Sequence, residues 1–105
     1  MNPKIKLNLH LQLLKVLTEI TANNINTVTK TPQQHFIKLM VMKLHQKFYT
    51  KTLEKRFSKS SEPIKMTVKY EEAYALDLFL QYAEMEEYER NIISGFILQL
   101  NQSIQ

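Results

Sequence analysis

Ile5-Lys6-Leu7-Asn8-Leu9 alternates apolar with polar residues, and Ile64-Lys65-Met66-Thr67-Val68 does the same. A period of two marks a strand with one buried face, so each segment predicts a short strand. Two strands alone are marginal in water and need helices to cover their apolar side. The spacing therefore predicts a single ribbon laid on helices. The two segments lie 59 residues apart, and a second echo, Val41 to Phe48 against Ile97 to Ile104, lies at an offset of 56. The difference of three falls in the polar stretch from Thr21 to Lys30. Both echoes predict a β-α-α unit present twice, with an approximate internal two-fold that makes the ribbon antiparallel.

Around each strand the period changes. Leu13, Val16, Leu17 and Ile20 recur at helical spacing after the first strand, and Ala22-Asn23-Asn24 closes that helix. Thr31-Pro32-Gln33-Gln34 is a helix start, with an N-cap hydroxyl, a proline at the first helical position and a glutamine at the third. A long helix follows, with Phe36, Ile37, Met40, Val41, Leu44 and Phe48 as its apolar face. Its end carries Tyr49, Leu53 and Phe57, which have no counterpart in the second unit. After the second strand, Tyr70 to Ala83 is so apolar that Ala75, Leu78 and Tyr82 fall outside its main stripe of Ala73, Leu76, Phe79, Leu80 and Ala83. A last helix from Glu86 to Ser103 buries Tyr88, Ile92, Ile93, Phe96, Ile97, Leu100 and Ile104. Gly95 within it marks either a close helix contact or a tolerated defect.

The fold expected is thus a mainly helical α+β domain, with two short strands in an antiparallel ribbon packed on about four helices in the order β-α-α-β-α-α. At 105 residues the chain fits one domain. Its first unit spans residues 4 to 59, a hinge 58 to 63, and its second unit 64 to 105. Cysteine is absent, which excludes disulfides, thiolate metal sites and a cysteine nucleophile. No apolar run approaches the ~20 residues of a membrane-spanning helix, and Asn8, His10 and Gln12 interrupt any signal-peptide core. A cytoplasmic protein is expected.

Charge divides the chain. Residues 1 to 60 hold eleven Lys and Arg against Glu19 and Glu54, and residues 61 to 105 hold three against eight acids. Lys43, Lys47, Lys51, Lys55 and Lys59 recur every fourth residue, with Arg56 beside them. Each like-charged pair at that spacing costs a few tenths of a kcal/mol, about 1 kcal/mol along the ladder, which an anionic partner relieves. The same lysines can equally form a solvated face.

No glycine-rich phosphate loop or nucleophile elbow stands in the sequence, and its pattern picks out no buried carboxylate pair. His10, His35 and His45 show no metal-ligand spacing, and Glu84, Glu86, Glu87 and Glu89 read as an acid-rich helix start. The expectation is no enzyme, no cofactor, no metal and no small-molecule substrate. The first functional reading is a protein-protein interaction module, a homodimer or a partner-docking protein, using Tyr49, Leu53, Phe57, Tyr74, Leu78 and Tyr82. The alternative is a sequence-tolerant nucleic-acid binder using Lys43, Lys47, Lys51, Lys55, Arg56 and Lys59.

Overall fold

The computed structural model describes residues 4–26, 28–56 and 62–105. Its elements run β1 (Lys4–Leu9), α1 (Leu11–Asn24), α2 (Pro32–Lys55), β2 (Ile64–Lys69), α3 (Tyr70–Tyr82) and α4 (Glu87–Ile104). The strands pair antiparallel, from Lys4 opposite Lys69 to Leu9 opposite Ile64. Because the side-chain period is two, this register places Ile5, Leu7, Leu9, Ile64, Met66 and Val68 on one buried face. The opposite face presents Lys4, Lys6, Asn8, Lys65, Thr67 and Lys69 to solvent.

The helices cover the apolar face of the ribbon. Leu14, Leu17 and Ile20 of α1, Leu44 and Phe48 of α2, Ala73, Leu76 and Leu80 of α3, and Ile93, Phe96 and Leu100 of α4 complete one core. α3 packs against α2, α4 and both strands, so it is the central helix. That position explains its composition. Ala75, which the sequence pattern sets off the main stripe, is buried, and Leu78 is half-buried. Most of the apolar excess of α3 is therefore core, and only Tyr70, Tyr74 and Tyr82 remain as exposed large side chains on it.

Polar groups define where the helices start and stop. The Thr31 hydroxyl accepts from the Gln34 backbone N–H at 3.1 Å, satisfying one of the orphan donors of the first turn of α2. The Gln34 side chain reaches back to the Lys30 N–H at 2.8 Å rather than to the cap residue itself. α3 follows β2 without a linker, and Glu72 accepts from the Lys69 N–H at 2.8 Å. Glu89 does the same for the Glu86 N–H at the start of α4, also at 2.8 Å. Both glutamates are buried at helix amino ends, where the dipole favours an anion. Asn24 clamps the end of α1 to the α3–α4 connection, donating to the Glu84 carbonyl and accepting from the Glu84 N–H.

Two expectations are corrected, and one left open is narrowed. Tyr88 is 53% exposed, because its hydroxyl reaches out to donate to Glu19 at 3.0 Å. Phe36 is 50% exposed, because the first turns of α2 lie at the margin of the core, whose α2 contributions begin at Val41. Of the two readings of Gly95, the tolerated defect remains, since a Cβ added there meets nothing within 4 Å. The element order repeats β-α-α, and the α1–α2 link of seven residues exceeds the α3–α4 link of four by the three that the offsets imply. The second helices, at 24 and 18 residues, differ in length, and a two-fold relation between the halves is not established by order alone. Residues 58–61 of the expected hinge lie outside the described residues.

Candidate nucleic-acid interface

A helix repeats every 3.6 residues, so side chains four apart drift by about 40° per step around it. Lys43, Lys47 and Lys51 stay within one side of α2, and that side overlooks β2. The strand contributes from its outward face. Lys65, Thr67 and Lys69 stand opposite the three helix lysines across a groove of about 680 Å³. Gln46 and Thr50 add neutral hydrogen-bonding groups, and Met40 and Met66 add apolar lining. Among the described residues, five cations thus line one concavity, with Glu72 as its single acid.

Glu72 is committed elsewhere. Its side chain is 5% exposed and already accepts from the Lys69 N–H, while the Lys47 ammonium lies 3.5 Å away. Lys51 lies 3.7 Å from Glu54 on the same helix. Lys47, Lys51 and Glu54 are all more than one-third exposed, so these ion pairs contribute little and leave the ammonium groups free to turn toward a ligand. A concave wall of one sign concentrates field in the groove and favours an extended anion.

The sequence-derived lysine set is only partly gathered here. Lys43, Lys47 and Lys51 line the groove, whereas Lys55 and Arg56 have drifted out of its lining at the end of α2, and Lys59 lies outside the described residues. Lys65 and Lys69 were missed by sequence reasoning. Their signal was the polar phase of the second strand pattern, which could have been joined to the ladder only by knowing that β2 lies beside α2.

The five described members of the expected interface set do not form one surface. Tyr49 and Leu53 are exposed on the outward face of α2, and Tyr49 stacks on His45 with ring centroids 6.3 Å apart. His45 in turn bonds through Nδ1 to the buried Thr21 hydroxyl of α1 at 2.7 Å. Leu78 and Tyr82 line a second groove, of about 570 Å³, between the end of α3 and the first turns of α2. Tyr74 lies one turn beyond Tyr70, whose hydroxyl donates to the Ile104 carbonyl of α4. Phe57 lies outside the described residues.

Asp77 is 3% exposed between α3 and α4, accepting through Oδ2 from Gln81 at 3.1 Å and Asn101 at 3.5 Å, while Oδ1 has no hydrogen-bond partner among the described residues. It is a carboxylate held by the amides of Gln81 and Asn101. No group of three or more His, Asp or Glu residues is placed to hold a metal ion among the described residues, and no helix among them is long and apolar enough to cross a membrane. No family model, curated protein or solved structure matches the chain, so its site stands on its own geometry.

Proposed function

We propose that this protein is a non-catalytic nucleic-acid-binding protein that holds the phosphate backbone in the groove between α2 and β2. One observation carries the reading: lysines from two elements, Lys43, Lys47 and Lys51 on the helix and Lys65 and Lys69 on the strand, converge on one groove. Phosphate contacts of this kind give sequence-independent affinity. A lysine ladder on a solvated helix has no need of partners on a neighbouring strand. The cysteine-free composition suits a cytoplasmic setting, where such ligands are abundant.

The test is direct. Lys47→Glu with Lys51→Glu, at two exposed or half-exposed positions, is expected to abolish binding to a mixed-sequence oligonucleotide while leaving the helical circular dichroism unchanged. Unaltered binding by the folded double variant places the site elsewhere, and no binding by the parent protein at low salt ends the reading.

A second reading, docking of another protein or a second copy, rests on the outward face of α2. Leu39, Met42, Tyr49 and Leu53 recur there at separations of three, seven and four, and all are exposed. Covering four half-exposed apolar side chains contributes about 1 kcal/mol each, or about 8 kcal/mol for a symmetric pair. Association costs about 4–15 kcal/mol, so such a homodimer is weak and concentration-dependent. Light scattering of the eluting protein across a concentration series distinguishes the cases. A mass of one chain throughout removes self-association.

A further inference from the structure

The groove is only half of a larger basic surface. The outward face of the ribbon presents Lys4, Lys6 and Asn8 from β1 beside Lys65, Thr67 and Lys69 from β2, four cations and two amide or hydroxyl groups with no carboxylate. Lys4 and Lys69 stand directly opposite each other in the register, a like-charge pairing that destabilises a ribbon unless an anion lies over it. Lysines on edge strands also discourage aggregation. That role accounts for charge at the edges, but it does not call for two strands whose outward residues carry no acid and adjoin a lysine-lined groove.

We infer that the ribbon enters the major groove of double-stranded DNA, with Lys6, Asn8 and Thr67 at the base edges and the groove lysines of β2 and α2 on the flanking phosphates. This rests on the nucleic-acid reading above and specifies its ligand. The major groove is about 12 Å wide and admits a two-stranded ribbon, whose strands lie about 4.8 Å apart. When a ribbon occupies it, the sugar-phosphate strand rises alongside as a ridge. The concavity between β2 and α2 is the matching trough, and Lys43, Lys47 and Lys51 form its far wall.

The residue types suit the positions. Asn can bond an adenine edge through two atoms, Lys the guanine edge, and Thr either base or a thymine methyl. Outward side chains on one strand repeat about every 6.8 Å, and base pairs about every 3.4 Å. Three outward residues per strand therefore cover about four base pairs. Single-stranded nucleic acid would ask for something different, namely exposed aromatic rings on which bases stack. Among the described residues, neither the outward ribbon face nor the groove lining contains an aromatic residue.

The deciding experiment is equilibrium fluorescence anisotropy at low salt with three probes: a short mixed-sequence duplex, each of its separated strands, and the same duplex carrying glucosylated hydroxymethylcytosine, which fills the major groove. The plain duplex is expected to bind tighter than either strand, and glucosylation is expected to weaken it by roughly tenfold or more, the range lost with one or two base-edge contacts. Equal affinity for the plain and glucosylated duplexes overturns the inference, as does preference for a single strand; both leave the groove reading in place. Binding to none of the three overturns both. Asn8→Ala with Thr67→Ala changes only solvent-facing ribbon residues. Selection from a randomised duplex pool is expected to yield a short motif for the parent that the double variant loses. The same motif for both proteins, or a motif for neither, counts against base contact by the ribbon.

Discussion

Raising monovalent salt fourfold, from about 50 to 200 mM, tests the groove quantitatively, because each phosphate neutralised by a lysine releases a counterion and steepens the salt dependence by about 0.9 for duplex DNA. Five lysines line the groove. If all five contact phosphates, the slope of log affinity against log salt is about −4.5 and the fourfold change weakens binding about 500-fold. If Lys47 stays with Glu72 at 3.5 Å and Lys51 with Glu54 at 3.7 Å, three lysines remain. The slope is then about −2.7 and the loss about 40-fold. The exposure of Lys47, Lys51 and Glu54 argues for the steeper value, since partly solvated pairs are readily exchanged for phosphate. Anisotropy titrations at several salt concentrations give the slope, and Lys65→Gln, which removes one contact from the strand side, is expected to lower it by about 0.9. A slope near zero, or a Lys65→Gln slope equal to that of the parent, refutes the argument that β2 and α2 act on one backbone.

The remaining predictions concern the scaffold. Gly95→Ala lies in the exposed interior of α4 with open space around the new methyl, so it is expected to stabilise by up to about 1 kcal/mol and raise the melting temperature by about 4–8 °C; a lower melting temperature contradicts the open space. Thr21→Val keeps the buried shape but removes the hydroxyl that meets His45 Nδ1 at 2.7 Å, and is expected to cost about 1 kcal/mol in denaturant titration. The phenol of Tyr88 is raised above its usual 10.0, chiefly by its hydrogen bond to Glu19 and further by partial desolvation and nearby carboxylates. Its contribution to stability is complete below the ordinary phenol value and is lost as pH rises through the higher folded one. Tyr88→Phe is expected to remove that alkaline component from the melting profile, and an unchanged profile rules out the Glu19 bond as its source.

Patterning made the elements legible in the sequence. The ribbon strands were readable from Ile5 to Leu9 and Ile64 to Val68 because a period of two leaves few alternatives, and α2 from Thr31-Pro32 because its cap is local chemistry. What lay beside what was harder. Ala75 looked like surplus apolar surface because a helix packed on three sides has a buried arc wider than the usual stripe. Tyr88 looked buried because its ring falls on the apolar phase of α4, yet a carboxylate from α1, 69 residues earlier, draws its hydroxyl outward. The groove was half visible for the same reason. The helix lysines are periodic along one segment, whereas Lys65 and Lys69 belong to the site only through the tertiary placement of β2.

The pairing of β1 with β2 also dictates an order of events during synthesis. Lys4 finds its partner at Lys69, so the first strand leaves the ribosome with nothing to pair with until the whole of α1, α2 and β2 has followed. At about 5–20 residues per second, that wait lasts roughly 3–12 s. The adjacent α1 and α2 touch directly and can form a hairpin in the interval, while closing a loop that long remains the slow entropic step. During those seconds Ile5, Leu7 and Leu9 are an uncovered adhesive edge, and the lysines at positions 4 and 6 keep identical nascent strands on neighbouring chains apart.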